Sequence, residues 1–291
     1  MLLVKVHTSL GITVTKKIYA FTQQNHDNYF IYDYVFKNTG IIDDKGTMHA
    51  QTLKDCIFYL LYRYTLAGES VLEYQEGWGA WSSAWGRNTV YQVVGTDPTA
   101  TDFEFRAHYA WYGLHSERPI TDDWGCPNEK EDGRMAAARY AGCVTLHADT
   151  GPHDQTDDLY QPKTTHYVYH DISINQNPYS QVDEIFMTKR YETMTMGHAE
   201  KTHAEEVGDG FADLFGGLGN GGYQAHQGFG PYTLEPGDSI HIVLAEGVAG
   251  ISRVKNREVG ADWLAWTNGT DTPTLIMPDG SETIDYSKYT R

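Results

Sequence analysis

The sequence predicts a mainly β fold: an antiparallel β-sandwich with long loop insertions and one or two packed helices. Segments with apolar and polar residues at a period of two indicate strands. Clusters of turn residues separate these segments, and no regular alternation of strand and helix occurs. The length of 291 residues suits a single β-sandwich domain spanning 1–291, with insertions.

The clearest predicted strand covers residues 28–37. Its aromatic residues share one face, and these are Phe30, Tyr32, Tyr34 and Phe36. Asn38-Thr39-Gly40 ends this strand with turn chemistry. Further strands are predicted at 12–22, 56–64, 103–112, 141–147, 166–174 and 239–246. A turn at Pro236-Gly237-Asp238 leads into the last of them.

Two helices are expected. The first begins at Ser180-Gln181-Val182-Asp183, which has the form of a capping box with Ser180 as the cap, and ends near Gly197. Its apolar residues recur at helical spacing, which predicts core contacts. The second helix covers 248–266. Loops are predicted at 66–100, 115–134, 148–165 and 208–230, the last because it is dense in glycine.

The formal net charge of −17 argues against binding to nucleic acid or to anionic membranes, since both need clustered Lys and Arg. It fits high solubility, cation binding or a salty environment. The apolar content of 40% indicates a globular chain with no membrane insertion.

Three cysteines are present, so they cannot all pair within the chain. Cys56 and Cys143 lie in strand-like segments, where buried thiols are expected, and Cys126 lies in a polar loop. The sequence leaves the disulfide state open. The chain begins with a strand-like segment and ends without a clear closing element. Both observations favour the interpretation that it is a piece of a longer protein.

Two segments resemble parts of the β-sandwich modules of large secreted proteins from environmental bacteria. One is residues 28–40, with its strand and Asn-Thr-Gly turn, and the other is Pro231–Ile240, with Pro-Gly-Asp before a strand. Leu146-His147-Ala148-Asp149 and Asp157-Asp158 add to this likeness. The resemblance implies a β-sandwich fold and an extracellular or cell-surface location. It implies no activity.

A polar segment concentrates potential metal ligands, and these are Asp149, His153, Asp154, Asp157 and Asp158. Carboxylates close together in a loop suit calcium, which takes six to eight oxygen ligands at flexible geometry. The sequence therefore predicts a calcium site here, and a transition metal or a plain solvated acidic loop are its alternatives. His166 and His170 follow, but on one strand they lie about 13 Å apart, too far for one zinc ion.

Trp78, Trp81 and Trp85 lie among glycines and serines, and they are the predicted ligand-binding residues. Exposed tryptophan rings can stack on sugar rings. The alternative is a loop that folds back and buries its tryptophans as a small apolar cluster.

Signatures of catalysis are incomplete. His198 and His203 flank Glu200 at a spacing of five, which misses the zinc-protease pattern. No G-x-S-x-G, Walker A or Rossmann fingerprint occurs, so no catalytic residue is assigned.

The function that the sequence favours is a non-catalytic extracellular module for structure, adhesion or carbohydrate binding. Its expected partners are a glycan or the neighbouring domains of a longer chain. The alternative is a secreted hydrolase of polysaccharide that uses a metal or carboxylates, motivated by the density of His and Asp at 147–170 and 198–213.

Overall fold

The computed structural model describes residues 1–64, 66, 89–95, 106–113, 127, 132–135, 137–169, 183–212 and 223–269. These residues form a mainly β structure of two antiparallel sheets. The strands are β1 (Leu2–His7), β2 (Ile12–Ala20), β3 (Tyr29–Asn38), β4 (Leu53–Tyr62), β5 (Thr89–Val94), β6 (Arg106–Tyr112), β7 (Arg139–Gly151), β8 (Asp154–Asp157), β9 (Thr164–Tyr169), β10 (Tyr223–Leu234) and β11 (Ser239–Gly250). The helices are α1 (Glu184–Met194), α2 (His203–Val207) and α3 (Arg253–Thr267).

The large sheet has the strand order β1-β2-β3-β11-β7-β6-β5, and β8 forms a hairpin with β7. The small sheet has the order β4-β10-β9. The two sheets pack together, which confirms the predicted β-sandwich. Within the described ranges, no helix has the length and hydrophobicity needed to cross a membrane.

The core lies between the sheets and follows from the period-two pattern of β3. Tyr32, Tyr34 and Phe36 face the small sheet, and the rings of Phe36 and Phe58 stack with centroids 3.9 Å apart. From β11, Ile240, Ile242 and Leu244 enter the same cluster and are at most 2% exposed. Alternation along β3 and β11 thus gives the large sheet one face in the core and one face turned outward.

Residues 223–230 form the first two thirds of β10, so the prediction of a loop over 208–230 is wrong for this part. The glycines here allow backbone carbonyl groups of other segments to approach β10 closely. A Cβ on Gly228 would lie 2.3 Å from the carbonyl oxygen of Met194, and one on Gly230 would lie 2.4 Å from that of Cys56. Glycine inside a strand often marks such a contact.

The predicted turn at Pro236-Gly237-Asp238 joins β10 of the small sheet to β11 of the large one. Asn38 secures this crossing. Its buried side-chain amide donates to the carbonyl oxygens of Leu234 (3.0 Å) and Gln51 (2.8 Å). Because Asn38 ends β3 and Leu234 ends β10, this side chain links a strand end of the large sheet to a strand end of the small sheet next to the turn.

The predicted helices are present with different details. Asp183, rather than Ser180, caps α1, since its side chain accepts from the backbone N–H groups of Ile185 and Phe186. The predicted core contacts of α1 are wrong: no described residue of this helix is buried, and Ile185 is 68% exposed. Helix α3 packs against residues 133–135, where Asn256 exchanges hydrogen bonds with the backbone of Met135.

Candidate functional site

The outer face of the large sheet is the face turned away from the small sheet. Four residues lie side by side across it, one on each of four adjacent strands. They are Tyr29 on β3, Gly247 on β11, Gly142 on β7 and Tyr109 on β6. Neighbouring strands are about 4.8 Å apart, so the two tyrosines start about 14 Å from each other. Two glycines therefore form a floor between two aromatic walls.

The floor needs glycine at both positions. A Cβ on Gly142 would lie 2.9 Å from the Cβ of Tyr109, and one on Gly247 would lie 2.9 Å from the Cβ of Tyr29. The side chain of each tyrosine thus occupies space next to its neighbouring glycine. The Oη of Tyr29 also lies 2.7 Å from Nδ1 of His26, a contact that holds this ring.

An open groove with a volume of about 660 Å³ lies over this floor, and we name it the aromatic groove. Its lining includes Asn25, Asn28, Tyr29, Ile31, Tyr109, Tyr140, Gly142, Val144, Leu146, Ala245, Gly247 and Val248. The volume falls within the range of small-molecule sites, which are concave, largely apolar and carry a few polar groups. Among the described lining residues there is no Asp, Glu or His.

Three aromatic rings lie in contact at one side of the groove. The ring centroids of Tyr109 and Trp111 are 5.6 Å apart, those of Tyr109 and Tyr140 are 6.2 Å apart, and those of Trp111 and Tyr140 are 6.0 Å apart. Tyr140 is 47% exposed, although a large aromatic side chain gains free energy by burial. A connected apolar surface of this kind marks a binding site more often than scattered exposed residues do.

The aromatic residues of this site were not predicted, because they come from three strands whose register the sequence does not reveal. A signal existed nevertheless. Gly142 and Gly247 interrupt apolar strand segments, and such a glycine indicates a close approach by backbone or ligand.

A second cluster lies farther along the outer face, beyond the bulge at which the pairing of β7 with β11 skips Leu146. Its residues are His147, Asp149 and His241, named here the His–Asp site. Oδ1 of Asp149 lies 2.8 Å from Nε2 of His147, and Oδ2 accepts a 2.8 Å hydrogen bond from the backbone N–H of His241. The Asp149 side chain is only 3% exposed, whereas those of His147 and His241 are 25% and 40% exposed.

Of the five predicted metal ligands, Asp149 alone belongs to the His–Asp site. Asp157 lies next to it but pairs with Arg106 at 2.7 Å. The Oδ1 atom of Asp154 accepts two hydrogen bonds from Thr156. The remaining two point elsewhere: Asp158 pairs with Lys163 at 3.3 Å, and His153 is 78% exposed, 3.8 Å from Asp238.

The other candidate residues are dispersed or lie outside the described ranges. Trp78, Trp81, Trp85, Cys126 and His170 belong to the second group. His166 contacts the backbone of its neighbour Tyr167, whereas His203 is 1% exposed at the start of α2 and accepts from the backbone N–H of Tyr91. Both described cysteines, Cys56 and Cys143, are free thiols, and burial raises the pKa of Cys143 to about 12.

Comparison with known proteins adds no relative. No protein-family model matches the chain, and no curated protein matches its sequence. The function is therefore inferred from the geometry of the outer face.

Proposed function

We propose that this protein is an extracellular, non-catalytic β-sandwich module that binds a neutral polysaccharide in the aromatic groove. One observation carries the proposal: Tyr109, Trp111 and Tyr140 form a connected, partly exposed aromatic surface beside an open groove floored by glycine. Trp78, Trp81 and Trp85, the predicted ligand-binding residues, lie outside the described ranges, and this surface is proposed for the same role.

The groove suits a sugar for a chemical reason. A pyranose ring has apolar C–H faces and a polar rim of hydroxyl groups. The apolar faces can pack on Tyr140 and Tyr109, while tyrosine hydroxyls and the amides of Asn25 and Asn28 are available to the sugar hydroxyls. The glycine floor lets a flat ring approach the backbone closely.

Charge selects the class of polysaccharide. The chain carries a formal net charge of −17, which repels polyanions such as uronic-acid polymers. No Lys or Arg stands among the described residues of the groove lining to offset this repulsion. A neutral glycan is therefore the favoured ligand.

The composition of the groove favours binding over hydrolysis. Most glycoside hydrolases use two carboxyl groups on either side of the scissile bond. The described lining offers no carboxyl group, so the hydrolase alternative gains no support from this groove. The proposed role is to hold the surrounding protein, or neighbouring domains of a longer chain, on a glycan surface.

Affinity electrophoresis tests the proposal. The protein is run through native gels that contain neutral polysaccharides (β-glucan, xylan, galactomannan) or anionic ones (alginate, polygalacturonate), each with calcium chloride or EDTA. We expect at least one neutral polysaccharide to retard the wild type and the anionic ones to leave it unretarded. Tyr140→Ala should abolish the retardation, whereas Tyr160→Ala, a change at an exposed tyrosine outside the groove, should preserve it. Equal mobility in all gels would refute the proposal.

A further inference from the structure

We propose that the His–Asp site, formed by His147, Asp149 and His241, binds a divalent transition metal, with Zn²⁺ as the ion that fits best. One ring nitrogen from each histidine and one oxygen of Asp149 all lie within 4.8 Å of one another. This inference does not rest on polysaccharide binding, because the three residues lie outside the lining of the aromatic groove.

The types of donor atom at the His–Asp site indicate which metal it would bind. Two imidazole nitrogens and one carboxylate oxygen are the ligands of many zinc sites that keep a fourth position open. Calcium takes oxygen ligands almost exclusively, so this set favours zinc over the calcium expected at Asp149. Two ligands of one tetrahedral zinc are about 3.3 Å apart, and the partly exposed His147 and His241 can close that distance by small side-chain rotations.

The electrostatics of Asp149 also favour a cation. Its carboxylate is nearly buried, and in the described part of the chain its ionic partner within 4 Å is His147, which is charged only when protonated. The two neighbouring carboxylates differ in having basic partners, and the pairs are Asp33 with Lys17 at 3.5 Å and Asp157 with Arg106 at 2.7 Å. A buried charge without a permanent counterion is costly, and a bound metal removes that cost.

Each histidine also has a second carboxylate near one of its ring nitrogens. Nε2 of His241 lies 3.0 Å from Oδ1 of Asp33, and Nδ1 of His147 lies 3.8 Å from Oδ1 of Asp157. Metal-binding histidines commonly direct one nitrogen at a carboxylate, which fixes the ring and raises the basicity of the other nitrogen. The backbone is fixed as well, because the Tyr232 hydroxyl donates to the carbonyl oxygen of Asp149 at 3.1 Å.

Isothermal titration calorimetry of the EDTA-dialysed protein with zinc chloride, and in parallel with calcium chloride, tests the site. We expect one zinc per chain and a rise in Tm of about 4 °C at a zinc concentration a hundredfold above Kd. His147→Ala and His241→Ala should each weaken zinc binding at least tenfold. The matched control is His153→Ala on the adjacent β7–β8 turn, which should bind zinc like the wild type.

A further readout keeps the test decisive if a variant folds poorly. Co²⁺ added to the wild type should give the strong visible absorption of a four- or five-coordinate site. The proposal is overturned if the wild type shows no saturable zinc binding, if Co²⁺ gives only the weak spectrum of the hexaaquo ion, or if both folded histidine variants bind zinc unchanged.

Discussion

The side chain of Tyr109 packs so closely against Gly142, its partner on the neighbouring strand, that a Cβ on Gly142 would come within 2.9 Å of the Cβ of Tyr109. The same Cβ would lie 2.7 Å from the carbonyl oxygen of His108. Neither neighbour is the free end of a flexible side chain, so the contact cannot be relieved cheaply. This pair forms one wall of the aromatic groove and the part of the floor next to that wall.

Gly142→Ala should therefore damage the groove. We expect a loss of about 1–3 kcal/mol in the free energy of unfolding, because the added methyl group overpacks the site. We also expect a drop of at least tenfold in glycan affinity. Denaturant unfolding and calorimetric titration measure the two effects. Gly151→Ala is the control on the same strand, since a Cβ there meets nothing within 4 Å; equal behaviour of the two variants would contradict this account of the floor.

The ion pair of Arg106 and Asp157 should contribute strongly to stability. The Arg106 side chain is 7% exposed, and its guanidinium also donates to two backbone carbonyl oxygens, those of Asp158 and Gln161. Arg106→Met should lower the free energy of unfolding by about 3 kcal/mol, because the two carbonyl oxygens lose their buried donor and Oδ2 of Asp157 loses its cationic partner.

The control for this pair is Lys163→Met, which removes the partner of Asp158 at the surface, where the lysine side chain is 46% exposed. Lys163→Met should lower the free energy of unfolding by less than about 1 kcal/mol. Urea unfolding at pH 7 compares the two variants. A loss below 1 kcal/mol for Arg106→Met would show that the pair is not a stabilising element.

Three buried histidines should make the fold sensitive to acid. Burial lowers the pKa of His108, His203 and His226 to about 3, from an ordinary value near 6.5. The unfolded chain therefore binds protons at these positions between pH 6.5 and 3, while the folded chain does not. The free energy of unfolding thus falls as pH drops through this window and is not affected by these groups above it.

Each of these histidines should lower the free energy of unfolding by about 2 kcal/mol when the pH falls from 7 to 5. Guanidinium unfolding at the two pH values measures the sum. His108→Leu should reduce the difference between them, whereas His153→Gln, a change at an exposed position, should not. An identical pH dependence in His108→Leu and the wild type would rule out His108 as a source.

Strand β3 shows what was predictable. Its period-two pattern predicts the strand correctly, because the alternation arises from one face of the strand lying in the core. This pattern can be recognised without knowing the partner strand. The turns at 38–40 and 236–238 were predictable for a similar reason, since residue type alone specifies them. The glycines of β10 wrongly indicate a loop, because the contacts that require them, with Met194 and Cys56, are distant in sequence.

The candidate sites were less predictable for a related reason. The sequence predicts Asp149 as a metal ligand, but groups it with its neighbours His153, Asp154, Asp157 and Asp158. The structure places it beside His241, 92 residues away, because β11 pairs with β7. The aromatic groove likewise combines β3, β6, β7 and β11, whose order in the sheet differs from their order in the chain.

The central claim is that Tyr140 and its aromatic neighbours bind a neutral glycan. Isothermal titration calorimetry with a soluble oligosaccharide of the polysaccharide that retards the protein tests it most directly. We expect saturable binding to the wild type and to Tyr160→Ala. Tyr140→Ala and Trp111→Ala should each lose at least about 1.4 kcal/mol of binding free energy, a tenfold weaker Kd. Unchanged affinity in both groove variants, with their fold intact, would contradict the claim.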